Sequence, residues 1–307
     1  METLDDFTTL KQDATLEEPL RRVAYEAGMM LGLEATRDEQ AYHRRRLNRH
    51  HYWFHGYGTL AGMRVSMSPD THPNNVDDIT MRILVSPGIG IDGLGREVLI
   101  HETYCINLGE WLAAQTEAHL REGYDDAADT LWLKVCVRQK DCQVAQQPVL
   151  ARKLNLSTDA VQPSRIADSV MLELIPELPP TEDAGFQPWA CHSPVTDADQ
   201  SLDDAPLDLS AAEQATVDAV DPATDPAAAA QLALHARLLF ALDAGGVNTK
   251  ELNDQFELGA RLLLARIAIT TADINALVVN PNLISINNLV RPFLVSASQL
   301  AWLARQS

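Results

Sequence analysis

Hydrophobic positions along the chain change period several times, and each change marks an element. Apolar residues around Leu16 to Met30 predict a short helix in an N-terminal arm. Thr36-Arg37-Asp38-Glu39 has the form of a capping box, so a second helix is expected from there to about His51. Between His55 and Val65, glycines punctuate an alternating pattern and predict turns and short strands, with a polar loop over 66–79. Met81, Ile83 and Val85 share one face of a strand over 80–86. Residues 96–100 form the next strand, and Asp92-Gly93 between them reads as a hairpin turn. Leu108, Trp111, Leu112 and Leu120 recur at helical spacing over 107–122. Leu131, Leu133, Val135 and Val137 alternate in a strand, and Ser169–Ile175 is another. Further on, 227–244 predicts a helix stopped at Gly245-Gly246. Strands follow at 262–270, 274–279 and 283–287, the last two around the turn Asn280-Pro281-Asn282. A helix over 296–305 has Leu300 and Leu303 on its expected buried side.

Assembled, these elements describe an α+β, β-dominated protein: small β-domains, an N-terminal helix and an acidic helical insertion. The expected division is an arm (1–30), a helix plus small β-domain (31–105), a second β-region (106–180), an acidic linker or helical insertion (181–250), and C-terminal strands and helix completing the second β-region (251–307). At 307 residues, 46% of them hydrophobic, the chain can bury a core without disulfides or a metal.

Charge refines the picture. The net charge is −19, which disfavours nucleic acid and anionic membranes as partners. Residues 181–230 hold eleven Asp or Glu and no Lys or Arg. The predicted helix after Thr36 is the opposite. Arg44, Arg45, Arg46 and Arg49, with His43, His50 and His51, suggest a docking surface for an acidic partner, the acidic segment of a neighbouring copy among them. The plain alternative is a solvated helix face. No signal-peptide pattern opens the sequence and no apolar run reaches membrane-spanning length, so synthesis in the cytoplasm without membrane insertion is expected. Four cysteines, none in a C-x-x-C pair, make no disulfide framework.

Candidate chemistry is sparse. Gly88-Ile89-Gly90-Ile91-Asp92-Gly93 matches G-x-G-x-x-G, but a strand follows where a dinucleotide-binding loop needs a helix N-terminus. Gly88, Asp92, Gly95 and Arg96 are instead expected to build a structural turn, with Gly95 at positive φ, and with Arg96 and Glu97 pairing with backbone or each other. His51 with His55, His101 with Cys105, and Cys191-His192 are weak metal candidates. Asp197, Asp199, Asp203 and Asp204 lack the glycine and terminal Glu of a calcium loop. No nucleophile motif is present. The reading is of no enzyme, no cofactor and no metal.

Four stretches in order carry a resemblance. The first runs from Met30-Leu31-Gly32-Leu33 through Glu39-Gln40-Ala41-Tyr42-His43 to Leu60-Ala61-Gly62-Met63-Arg64-Val65. The second is Val85-Ser86-Pro87-Gly88-Ile89-Gly90-Ile91-Asp92, closed by Gly95-Arg96-Glu97-Val98. The third joins Val137-Arg138, Asp141-Cys142 and Gln147-Pro148-Val149 to Pro163-Ser164-Arg165-Ile166 and Leu172-Glu173-Leu174. The last is Leu264-Ala265-Arg266-Ile267 with Asn287-Asn288-Leu289-Val290-Arg291-Pro292. Together they resemble proteins of the baseplate or tail fibres of phage tails and phage-like contractile injection systems. The resemblance implies a virion or injection-machine structural subunit that docks at the baseplate and connects or anchors tail fibres. Its partners would be other tail, baseplate or fibre proteins, in multiple copies. Two other readings are weighed beside it: a carbohydrate-binding or hydrolytic module carried on such a tail, and a cytosolic tail-assembly factor.

Overall fold

A computed structural model of the chain describes residues 20–71, 79–148, 161–179, 209–239, 259–274 and 281–305. Among them are six helices and eleven strands in three sheets, so the protein is α+β and β-leaning. The chain divides into two compact units, one of residues 1–183 with 249–307 and one of 184–248.

In the larger unit, helix α1 (Leu33–His55) precedes β1 (Gly58–Gly62), β2 (Val65–Thr71), β3 (Ile79–Val85), β4 (Gly88–Ile91), β5 (Glu97–Ile100) and β6 (Tyr104–Asn107). Sheet order is β1-β4-β5 in one antiparallel sheet and β2-β3-β6 in another. Residues 66–71, expected as loop, are strand: Ser66 to Thr71 pair with Leu84 to Ile79. The stretch is mostly polar around Met67, so no alternation marks it as a strand. Helices α2 (Leu108–Ala113) and α3 (Glu117–Arg121) replace the one expected helix over 107–122. Thr116 accepts the His119 N–H and restarts the second. Strands β7 (Tyr124–Asp125), β8 (Thr130–Pro148), β9 (Val161–Pro176), β10 (Leu262–Thr270) and β11 (Ile284–Asn287) form the third sheet, in the order β11-β10-β8, with β9 and β7 both paired to β8.

Two differences concern helices at the N-terminal end. Residues 20–32 are not helical. Pro19 disfavours a helix before it, Gly28 sits at φ +87°, and the Val23 N–H donates to Glu39 Oε2 (2.8 Å) across the chain. Helix α1 begins at Leu33 rather than Thr36. Gly32 is its N-cap without a side-chain bond, and Thr36 only returns its hydroxyl to Gly32 O (3.3 Å). At the other end it continues through Trp53 and Phe54 to His55, where Gly56 at φ +77° stops it.

One core serves both β-regions that the sequence separates at 105/106. Met63, Val65, Met81, Ile83 and Val85 are buried with Leu131, Leu133, Val135 and Val137, and with Leu262, Leu264, Ile267 and Ile269. Met81 to Val85 and Leu131 to Val137 are alternate-residue faces of their strands, which is why period 2 found them; on β10 a bulge between Leu263 and Ala265 shifts the face, so Leu264 and Ile267 lie three residues apart. The other face of the third sheet is charged. Lys134 and Arg266 are direct cross-strand neighbours, a destabilising juxtaposition by itself. Glu177 resolves it: it accepts from Lys134 Nζ through Oε2 and from Arg266 Nη2 through Oε1 (2.9 Å). Beside them, Glu173 takes Arg138 Nε (3.0 Å) and Arg261 Nε (2.8 Å). Enclosed between these pairs, the Cys136 thiol is pushed up to about 12 by burial.

The C-terminal strands are tied back by a clamp that the sequence did not announce. Asn288 reads both backbone groups of Val65: its Oδ1 accepts Val65 N–H (2.8 Å) and its Nδ2 donates to Val65 O (2.9 Å). Arg291, buried, donates to Met63 O (2.8 Å), Asn288 O (3.0 Å) and Asn288 Oδ1. Residues 292–294 then lie on the free edge of β1, with Thr59 N–H to Pro292 O (2.9 Å) and Leu294 N–H to Thr59 O (3.0 Å). Helix α6 (Ala297–Leu303) follows with a Ser296–Gln299 capping box. Leu300 and Leu303 are more than half exposed, against the expectation that they were buried. Spacing identifies an apolar face but not what lies against it.

In the smaller unit, α4 (Ala211–Asp218) starts on a Ser210–Glu213 capping box, and α5 (Pro226–Leu239) starts on a proline, which suits the first helical turn. The expected stop at Gly245-Gly246 lies outside the described residues, as does the 275–279 part of the strand expected over 274–279.

Burial works against the Glu177 carboxylate, but Lys134 and Arg266 outweigh it and hold the group below its ordinary range. A depressed native pKa contributes stability above the unfolded carboxyl range of about 4.3, and that contribution is lost as pH falls through the lower native value. Glu177→Gln should therefore lower Tm at pH 7, and the gap to the parent should narrow as pH falls below about 4. Calorimetry across pH checks both.

Candidate functional site

The glycine-rich passage after β3 is a hairpin from β4 to β5, with Gly88 opposite Ile100 and Ile91 opposite Glu97. No helix follows it, so its glycines serve the turn. Asp92, fully buried, organises that turn: Oδ1 accepts the N–H groups of Leu94 and Arg96 (both 2.9 Å), and Oδ2 accepts Arg96 Nε (2.7 Å). Arg96 Nη2 lies 2.7 Å from the same oxygen. Burial pushes the Asp92 carboxyl up, and the Arg96 charge and the two amides act against it. The partner of Arg96 is thus Asp92 and not Glu97, which is exposed. Four residues back along the chain, Asp92 can share a turn with Arg96; Glu97, its immediate neighbour on a strand, points to the opposite face.

Around this turn other segments close in. Gly95 has φ +77°, and a Cβ there would fall 2.1 Å from Asn48 O on α1. His51 Nδ1 lies 3.1 Å from Gly95 O, and Gly93 N–H donates to Gly259 O (2.8 Å) just before β10. At Gly88 a Cβ would meet Met63 N at 2.3 Å, so that position is set by close backbone approach.

The turn seats one end of α1 beside a groove of about 950 Å³. Gln40, Arg44, Leu47 and His51 line its α1 wall, Glu97 and Leu99 its floor, and Asp141, Ile166 and Asp168 the wall opposite. That opposite wall is unusual. β10 leaves β8 at Val137, yet β8 and β9 remain paired with each other through Pro148 and Val161. The result is a two-stranded ribbon extending beyond the sheet, with Val144 and Ile166 exposed on it. Asp141 and Asp168 are directly opposed across it. These carboxylates have no tryptophan beside them in the groove: neither Trp53 nor Trp132 lines it, and Trp189 lies outside the described residues.

The four arginines do not share one face. Successive helical residues turn by about 100°, so Arg44, Arg45 and Arg46 spread around α1. Arg44 faces the groove. Arg46 is exposed, with Nη1 donating to Tyr42 Oη (3.0 Å). Arg45 and Arg49 are half-buried, and Arg49 Nε is enclosed with no hydrogen-bond partner among the described residues. The extension of α1 to His55 does bring three imidazoles together. His50 and His55 ring centroids are 5.1 Å apart, and His51 and His55 are 6.3 Å apart. Among the described residues no group of three or more His, Cys, Asp or Glu is placed to hold a metal. His101 and Cys105 are both exposed, with Cys105 on β6. Cys191, His192 and the aspartates at 197, 199, 203 and 204 lie outside the described residues. Among the described residues no helix is long and apolar enough to cross a membrane. Comparison with protein-family models finds no match, and comparison with curated proteins finds none.

Asp92→Ala should cost about 3–5 kcal/mol, because it leaves the Arg96 guanidinium buried without its carboxylate. Adding Arg96→Met should recover part of that loss; a double variant no more stable than the single would refute the pairing account. Gly95→Val should cost at least about 1–3 kcal/mol from backbone strain, and more from pushing the turn off Asn48. Denaturant unfolding measures all three.

Proposed function

We propose that the protein is an architectural subunit of a phage tail or phage-like contractile injection system, docking at the baseplate and connecting or anchoring tail fibres. The observation that carries the reading is the β8–β9 ribbon. Two strands alone are marginal in water. This pair nonetheless continues past its sheet with apolar side chains exposed, and among the described residues no third strand pairs with it over residues 138–148 and 161–171. Such an extension suits a contact with a neighbouring subunit, whose backbone or side chains would complete it. The exposed helices α1 and α6 add surface of the same kind, and the ordered resemblance of the four sequence stretches supplies the assembly. No catalytic centre, cofactor or metal belongs to this reading. The protein is made in the cytoplasm and ends in the finished particle.

Mass spectrometry of particles purified from the producing cell should find the full chain as a stoichiometric component. A variant with residues 142–167 replaced by Asn-Gly, a two-residue hairpin turn, should keep its Tm within a few degrees yet be missing from particles. Particles that never contain the parent chain would overturn the proposal.

A further inference from the structure

The groove beside the ribbon is walled by α1, β5 and the ribbon's inner face. β8 contributes Gln139, Asp141 and Gln143 to it, alternate residues of that one face. β9 contributes neighbours from both of its faces, Arg165 with Ile166 and Asp168 with Ser169. A lining that wraps around a strand means that the groove opens past the outer edge of that strand. From Ser164 to Val170 the backbone of β9 pairs with β8, and among the described residues with nothing on its other edge. Ser164 to Asp168 are exposed whichever face they belong to. Residues 164–170 present about 23 Å of edge, and every second residue turns its N–H and C=O outward.

Two features of the inner face say what would add there. Ile166 and Leu47 expose 56% and 54% of their surface from opposite walls, with Leu99 on the floor between them. At the next pair along that face, Asp141 and Asp168 oppose each other directly, a like-charge contact that costs stability. The same sheet carries another such pair, Lys134 with Arg266, and bridges it with Glu177. Among the described residues no cation bridges the aspartates; Gln139 Nε2 alone donates to one of them, to Asp168 Oδ1 at 3.5 Å.

We infer that the groove receives one extended segment of a neighbouring protein, which adds as a strand to the outer edge of β9 and carries a basic side chain two residues from an apolar one. An extended backbone is the ligand whose donors and acceptors repeat at the spacing of a strand edge, so it satisfies the outward N–H and C=O groups of 164–170. Alternate side chains of the added strand enter the groove together. The apolar one packs between Ile166, Leu47 and Leu99, which its own chain leaves open. The Lys or Arg reaches Asp141 and Asp168, and plays between them the part that Glu177 plays between Lys134 and Arg266, with the signs reversed. The inference deepens the architectural reading by naming the kind of partner, and rests on that reading only for the source of the strand.

The probe is a displayed library of random peptides, panned on the full chain. Enriched peptides should place Lys or Arg two residues from Leu, Ile, Val or Phe. In a synthetic copy of the best binder, N-methylation at alternate amides should weaken binding at least ~10-fold, and at the amides between them by less than ~2-fold, the signature of a strand bonded along one edge. Asp168→Lys, with Tm unchanged or raised by relief of the like-charge pair, should weaken that peptide at least ~10-fold, and a copy of the peptide with Glu in place of its basic residue should regain affinity for this variant. No enriched motif, equal loss at every methylated amide, or binding indifferent to Asp168→Lys overturns the inference. A dimer in light scattering that Asp168→Lys dissociates would put a second copy in the groove and overturn it as well. A chain that is found in particles but binds no peptide sinks this inference alone; one that binds such peptides but is missing from particles counts against the tail assignment and leaves the strand site standing.

Discussion

Asp92 and Arg96 form an ion pair in a place where water cannot help either of them. A buried carboxylate is tolerated only when its lone pairs are filled, and here two amides of its own turn and one guanidinium fill them. That requirement dictates the shape of the turn, and the turn's shape dictates what can touch it. Gly95, held at positive φ, brings its carbonyl to His51 and its bare Cα to Asn48, which sets the height of α1. Gly93 reaches Gly259 and so places the approach to β10. Three segments far apart in sequence are therefore registered on one five-residue reversal. The groove between α1 and the ribbon follows from that registration.

The second constraint is electrostatic and lies on the back of the large sheet. Placing Lys134 across from Arg266 would be costly, and Glu177 makes it acceptable by binding both. Glu173 repeats the arrangement with Arg138 and Arg261. Glu173 is on β9 and Glu177 follows directly on its last residue, so the strand that forms half of the ribbon, with its exit, also neutralises the sheet from which the ribbon extends. The ribbon cannot detach without uncovering four cations.

Where one side of a strand is apolar and the other polar, the sequence was readable: Met81, Ile83 and Val85, or Leu131 through Val137, declare their period directly. The hairpin at Asp92-Gly93 was equally plain, because glycine marks the turn. What escaped were elements whose residues carry no such contrast. β2 past Met67 and the ribbon past Val137 are strands rich in polar residues, so they show no clean apolar–polar alternation to read. The Asn288–Arg291 clamp and the Glu177 bridge join residues separated by tens to hundreds of positions, and no local pattern reports a partner that distant. The arginines on α1 were visible as a cluster in sequence, but helical rotation scatters them. Leu300 and Leu303 were assigned to a buried face because spacing describes a helix and not its neighbours.

The ribbon's attachment has a mechanical meaning. Its two strands are continuous with β8 and β9 inside the sheet, and β8 is bonded to β10 along the whole stretch from Thr130 to Val137. A pull applied at the outer end, along the strand direction, meets those backbone bonds side by side and must shear them together instead of opening them one after another, since ladder bonds run across the strands. A protein built this way yields last to a pull along its own arm.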